Sequence, residues 1–385
     1  MPVSTTDVVD LISAMVEIES VTPWLIPTGS GEGEIARFIA EWLEPTGAKI
    51  EIDEVEPGRP NVLARLVGTG GGPTLCLNAH SDTVGYANWA DDALVPRLDG
   101  DRLYGLGSSD DKGMCAAAML VLRSLASSGR VLRGDLLVAC VADEEGISIG
   151  SQHLARQGGI DAAIVIEPQP VSDVVVEHQG FGWIDVVTRG VAAHGSAPDK
   201  GVDAIVHLAE VISRLHDLDK TTFVRHPDPM NGRTVFHTGT LSGGTDYATY
   251  PKVASVGIEI GTQPGEHLSD RVAEIEAIFA EVAAGEWGFD GEVVVRLDRE
   301  PFRAEGHERL QEFVTAASKE VLGAAPRFVG LNAWTDAALM QAAGIPTLLM
   351  GALGGNFHAP DEWVSVSEVV SLCSILEATA VSFLS

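Results

Sequence analysis

Four short apolar runs constrain what this chain can fold into more than any other feature. Residues 61–66, 74–77, 135–142 and 162–166 are nearly continuous in apolar side chains, so each reads as a strand covered on both faces. Segments 113–125 and 151–157 separate them with apolar residues at helical spacing. Strands alternating with helices predict an α/β fold, a mixed and mostly parallel sheet with helices on both faces. Two helices precede it. Ser4 and Thr5 stand before Val8, Leu11, Ile12, Met15 and Val16, and residues 31–43 repeat the pattern with Ile35, Phe38, Ile39 and Leu43.

The texture changes after Pro170. Shorter strands at 174–177 and 183–188, a long helix at 201–218, strands to residue 260, a helix at 268–283 and a strand at 292–297 make an α+β unit of their own. From Glu308 the first pattern resumes, with a buried strand at 346–350. With 385 residues, enough for two cores, the simplest account is a domain of residues 1–178 and 299–385 interrupted by an inserted domain, 179–298.

Charge narrows the partners. The chain has 25 basic and 55 acidic residues and a net charge of −30, a field that repels phosphate backbones and anionic membrane surfaces. A small-molecule substrate, no nucleic acid and no membrane are expected. No uninterrupted apolar run approaches a membrane span, and the first residues lack the basic flank of a signal peptide. Cys76, Cys115, Cys140 and Cys373 sit singly in apolar stretches, as buried thiols of a reducing compartment do, so a cytoplasmic location is expected.

In open α/β sheets, reactive residues collect beyond the carboxyl ends of strands. His80 and Asp82 follow the strand at 74–77, two residues apart on an extended segment and so pointing the same way. A metal-bound imidazole commonly donates its second nitrogen to a carboxylate, and Asp82 is placed for that role. A glycine-rich loop from Tyr104 to Gly113 brings Asp110 and Asp111 to the start of a helix; alone, Asp110 reads as readily as a helix cap. The strand at 135–142 ends in Asp143, Glu144 and Glu145, three acids whose joint burial requires a cation, though exposed they would form an ordinary acidic turn. Glu167 directly follows the strand at 162–166, a costly place for an uncoordinated carboxylate. His358 follows a buried strand and a glycine loop, where a satisfied core histidine is the ordinary alternative. Imidazoles and carboxylates without a cysteine suit zinc, cobalt or manganese at an open site rather than a closed structural zinc.

In order along the chain, His80-Ser-Asp82, Gly105 to Gly113, Asp143-Glu144-Glu145, Glu167-Pro168, His194 and His358-Ala-Pro-Asp-Glu resemble the co-catalytic zinc hydrolases. That family includes acetylornithine deacetylase, succinyl-diaminopimelate desuccinylase, aminoacylase and carboxypeptidase G. The resemblance implies a zinc-exopeptidase type of fold with two divalent metal ions: Asp110 bridging them, His80 and Glu167 completing one, Glu145 and His358 the other. It further implies Glu144 as the general base acting on a metal-bridging water, Asp82 behind His80, and often a cis peptide after Asp110. The inserted domain becomes a lid that also mediates a homodimer, in which His194 donates to the developing oxyanion in the partner's site.

Several positions depart from the family pattern. Ala248 precedes Pro251 where many members carry an asparagine, Glu259-Ile-Gly261 stands where Asp-x-Arg is common, and Leu106 replaces a frequent arginine. In the family, that asparagine and the arginine of Asp-x-Arg typically hold a substrate carboxylate. Asn332, Trp334, Thr335 and Asp336 lie in a segment that usually lines the pocket, although Trp334 reads equally as a core residue. The expected function is an amidohydrolase that removes an acyl group from a small N-acyl amino acid or related amide. The rival readings are a di- or carboxypeptidase of the same family and a non-catalytic binding protein that kept the fold.

Overall fold

The computed structural model describes residues 3–90, 92–224 and 227–385, and its contacts cluster into two compact units. The first comprises Met1–Val176, Ala304–Val329 and Thr335–Ser385; the second comprises Glu177–Arg303 and Gly330–Trp334.

In the first unit, helix α1 (Thr5–Val16) is capped reciprocally: the Ser4 hydroxyl accepts the Asp7 N–H and the Asp7 carboxylate accepts the Ser4 N–H. After α2 (Gly33–Leu43) come strands β1 (Lys49–Glu56), β2 (Arg59–Leu66), β3 (Thr74–His80), β4 (Arg97–Asp99) and β5 (Arg102–Tyr104), then helix α3 (Lys112–Ser127). Next follow β6 (Asp135–Val141), α4 (Ile149–Gln157), β7 (Ala162–Ile166) and β8 (Asp173–His178). The second unit carries β9 (Gly180–Arg189), α5 (Ala204–Leu218), β10 (Phe236–Gly243), β11 (Val253–Thr262), α6 (Leu268–Gly285), β12 (Asp290–Arg299) and β13 (Phe302–Arg303). The chain finishes with α7 (Glu308–Leu322), β14 (Arg327–Leu331), α8 (Ala337–Ala342), β15 (Thr347–Met350), β16 (Gly354–Gly355), β17 (Trp363–Ser365) and α9 (Val366–Leu384).

The large sheet runs β1-β2-β6-β3-β7-β15-β8-β13. Its parallel part is the centre: β6, β3, β7 and β15 pair in parallel, so their carboxyl ends share one edge. The flanks are antiparallel, at β1-β2, β2-β6, β15-β8 and β8-β13. Every residue of β7 and β15 is buried, which requires cover on both faces. α3 and α9 pack on β3, and α4 and α8 pack on each other against strands of the same sheet. Strand β1 escaped the sequence reading because it has no buried residue and five acids or bases among its eight positions; it forms the antiparallel edge.

The last helix, α9, is long and apolar enough by length and composition to cross a membrane, although polar residues such as Glu368, Ser371 and Glu377 interrupt its apolar run. Half of that stretch is buried in the protein, where α9 packs on α1, α3 and α7. Its apolarity is that of a core helix.

In the second unit a four-stranded antiparallel sheet, β10-β11-β9-β12, carries α5 and α6. β9 alternates buried and half-buried residues, the pattern of one face packed on a core that includes Ile184, Val186, Leu208, Val256 and Ile258. Of the two strands read before the long helix, β8 pairs with β15 in the large sheet and only β9 enters the smaller one. The second unit extends to Arg303 because β13 pairs with Glu177 and His178, and it takes in 330–334 because the Gln179 N–H donates to the Leu331 carbonyl.

Candidate metal centre

The four parallel strands deliver the chemistry. β3 ends in His80, β6 runs into Asp143, Glu144 and Glu145, β7 into Glu167, and β15 into the loop that bears His358. Because these strands are neighbours in register, their ends converge, and the loop before α3 adds Asp110.

Asp110 faces a histidine with each carboxylate oxygen. Its Oδ1 lies 3.0 Å from Nε2 of His80 and its Oδ2 lies 3.3 Å from Nε2 of His358. Glu145 is 2.9 Å from the same His358 nitrogen, and Glu167 is 3.9 Å from His80 Nε2. Among the described residues, two groups have ligand atoms mutually within 4.8 Å: His80, Asp110 and Glu145, and His80, Glu144 and Glu167. The structure thus brings His80, Asp110, Glu144, Glu145, Glu167 and His358 together. Glu144 comes as close as the ligand candidates do.

Asp82 serves two elements at once. Its carbonyl is 3.1 Å and its carboxylate 3.5 Å from Nδ1 of His80, while the two carboxylate oxygens accept the backbone N–H groups of Glu144 and Glu145 at 3.0 and 3.2 Å. With Nδ1 turned to Asp82, the His80 ring presents Nε2 to the cluster. The alternative of Asp110 as a helix cap does not hold, since the cap position of α3 falls on Asp111, whose carboxylate accepts the His80 N–H at 3.0 Å. The peptide between Asp110 and Asp111 is cis.

The electrostatics call for a cation. Burial, then the neighbouring Glu167, raises Glu144 well above the ordinary carboxylate range. Glu167 is raised well above it by burial and Asp111, and Glu145 is raised by burial and Asp110. Hydrogen bonds to Asp110 and Glu145 push His358 up to about 11; burial opposes the charge on His80, but its hydrogen bonds to Asp110 and Asp82 win and hold it well above its usual value. Carboxylates that will not share one crevice as anions, beside imidazoles whose nitrogens meet them, fit divalent cations by donor type and number.

Two supports escaped the sequence reading. Glu362 was quoted in the His358 motif without a task, yet its buried carboxylate accepts the N–H groups of Gly107, Ser109 and Asp110. Arg59, ahead of strand residues Pro60 and Asn61, pairs with Glu32 and with Asp143 at 2.8 Å, anchoring the acidic turn, where Asp143 has φ 68°. Their signals were single charged residues flanking apolar strands, indistinguishable in sequence from surface charges. Asp336 is buried in the first unit and its charge helps raise Glu144, while Asn332 and Trp334 belong to the second unit.

His194 also lies in the second unit, exposed, bridged to Thr249. Its Nδ1 accepts the Ser196 N–H at 3.2 Å, with the Ser196 hydroxyl at 2.8 Å. An Nδ1 that accepts leaves the proton of the neutral ring on Nε2.

A mixed α/β sheet whose strand ends gather imidazoles and carboxylates into one cluster, in a chain of this family, defines a metal-dependent hydrolase of amide bonds. The chain belongs to peptidase family M20/M25/M40, whose model matches residues 76–382. It is 29% identical to acetylornithine deacetylase of Proteus mirabilis, over 93% of this chain and 92% of that protein. It is 25% identical to N-formyl-4-amino-5-aminomethyl-2-methylpyrimidine deformylase of Bacillus subtilis, over 96% of this chain and 93% of that one. The crystal structure of aminopeptidase PepT from Bacillus cereus superposes with a TM-score of 0.81 at 20% identity, covering 99% of both chains.

Proposed function

We propose that this hydrolase removes a small acyl group from an N-acyl amino acid or related amide, using two divalent cations, zinc by preference. The observation that carries the reading is Asp110, which turns one oxygen toward His80 and the other toward His358. Asp110, His80 and Glu167 would hold one cation, and Asp110, Glu145 and His358 the other. The deacetylase and deformylase activities named for two relatives both release a small acyl group from an amine, which favours deacylation.

Bound cations polarise the scissile carbonyl and acidify the attacking water. The remaining work belongs to the chain. Glu144, held by its backbone to Asp82, takes the water proton and delivers it to the departing amine, a task suited to a carboxylate whose proton affinity burial has raised. Asp82 fixes the ring orientation of His80. His194, with its proton on Nε2, donates to the developing oxyanion.

For His194 to act in a partner's site the enzyme must be a homodimer through its second unit. The support is an unpaired edge: β10 exposes Leu241 at 72%, and Ile205 and Val206 of α5 are also exposed. Four free, buried cysteines suit a cytoplasmic location. Hydrolysis of a panel of N-acetylated amino acids by zinc-loaded enzyme tests the reading. Release of free amine that stops with a chelator and returns with zinc supports it, and preferential cleavage of dipeptides would replace it with a peptidase.

A further inference from the structure

His358 sits in the connection between β16 and β17, a hairpin whose register pairs Gly354 with Val364 and Gly355 with Trp363. A ladder that short does little to fix the residues it encloses. Packing demands the glycines of β16: a Cβ at 354 would strike the Ser109 hydroxyl, and a Cβ at 355 would meet the Trp363 indole nitrogen at 2.8 Å. The hairpin therefore lies directly against the loop that presents Asp110.

The connection passes three times through left-handed backbone at residues other than glycine, with φ 59° at Asn356, 58° at His358 and 60° at Asp361. Such conformations persist where the surroundings enforce them, and asparagine is among the side chains that tolerate them best. Asn356 also supplies the enforcement. Its side-chain amide donates to the Asp361 carbonyl at 3.1 Å, closing the connection end to end. Its own carbonyl accepts the Ala359 N–H at 3.1 Å, closing the inner turn around His358.

The two imidazoles of the centre are held in different ways. His80 is buried, and its Nδ1 faces the carbonyl and the carboxylate of Asp82. The His358 side chain is 53% exposed and, among the described residues, pairs only through Nε2, with Asp110 and Glu145. With no partner behind the ring, its placement falls to the backbone of the hairpin. Asp361 and Glu362, adjacent in sequence, then tie the two loops together: the Asp361 carbonyl takes the Asn356 amide, and the Glu362 carboxylate takes the N–H groups of Ser109 and Asp110.

We propose that Asn356 is a positioning residue for His358, and that opening its clasp on Asp361 weakens the cation held by Glu145 and His358 while sparing the one held by His80 and Glu167. This inference rests on the two-cation reading of Asp110.

The test uses full-length protein, stripped of metal and titrated with Co²⁺, with bound metal followed by elemental analysis, competition with a chelating dye and visible absorption. Asn356→Gly keeps left-handed freedom and removes the amide, whereas Asn356→Ala removes both. The parent should bind two ions. Asn356→Gly should weaken one of them at least tenfold, the scale on which removing a support acts on a metal ligand, and leave the other within twofold. Asn356→Ala should weaken the same ion further. The visible spectrum of either variant with one ion bound should match that of singly loaded His358→Ala, and unchanged melting temperatures of the metal-free variants exclude unfolding. Two ions bound by Asn356→Gly with parental affinity, or both weakened equally, overturn the positioning role alone. A parent that binds a single ion overturns the two-cation reading, and this role with it.

Discussion

The carboxylate of Glu362 accepts the backbone N–H of Asp110 at 2.9 Å, across 252 positions of sequence. The same side chain takes the N–H groups of Ser109 at 2.9 Å and Gly107 at 3.0 Å, so the loop that presents Asp110 hangs from one buried acid. Burial, then the charge of Asp110, pushes Glu362 up to about 7.

Glu362→Ala therefore leaves three N–H groups without their acceptor and frees the Asp110 carboxylate to move. Metal affinity, measured by competition with a chelating dye, should fall roughly 10- to 100-fold, as when other supports of a metal ligand are removed. Glu362→Gln, which keeps an accepting oxygen, should recover part of it. Parental affinity in the alanine variant would show that Asp110 is held by other means.

Glu144→Gln keeps the shape of the side chain and removes its basicity. Turnover should drop by about 10²- to 10⁴-fold while two metal ions per chain remain by elemental analysis. Loss of metal along with activity would instead make Glu144 a ligand, a role its closeness to His80 and Glu167 leaves open to this experiment.

Metal loading should release protons. Without cations the hydrogen bonds to Asp110 and Glu145 push His358 up to about 11, so a metal must displace a proton from its ring at pH 7, and His80 is raised in the same direction by its hydrogen bonds to Asp110 and Asp82. Affinity should accordingly rise with pH, and calorimetry in buffers of different ionisation enthalpy should count at least one proton released. In the metal-free protein the raised His358 pKa stabilises the fold fully below pH 6.5, and that contribution is lost as pH rises through about 11. Proton uptake on loading would contradict the arrangement.

Arg59→Met strands two acids. Arg59 joins Glu32, wholly buried, to Asp143, and removing one partner of a buried pair costs about 3–5 kcal/mol. Urea unfolding should show a loss of that order. Activity should fall too, because Asp143 also accepts the Ile147 N–H and the Thr22 hydroxyl and thereby shapes the turn bearing Glu144 and Glu145.

Much of this was legible in the sequence because burial on both faces writes itself as unbroken apolar runs. The central strands β3, β6 and β7 follow those runs, and the residues just past their ends, His80, the 143–145 acids and Glu167, lie where the parallel strands converge. β1, with no buried residue, left no such trace. The strand at 174–177 has the short-strand texture that follows Pro170, and strand length and texture do not say which sheet a strand joins; its pairing with β15 does. Glu362 acts through partners 252 or more positions away and Arg59 through Glu32 and Asp143, 27 and 84 positions away, and single-residue charge carries no record of them.

The central claim is that the crevice around Asp110 holds two catalytic cations. It is tested most directly by metal-stripping the protein and titrating zinc back while following both bound metal and hydrolysis of an N-acetylated amino acid. Activity should rise from zero as occupancy approaches two ions per chain, and Asp110→Ala should bind little zinc and show no activity. Full activity in the stripped enzyme, or no activity at full occupancy toward any amide tried, would contradict it.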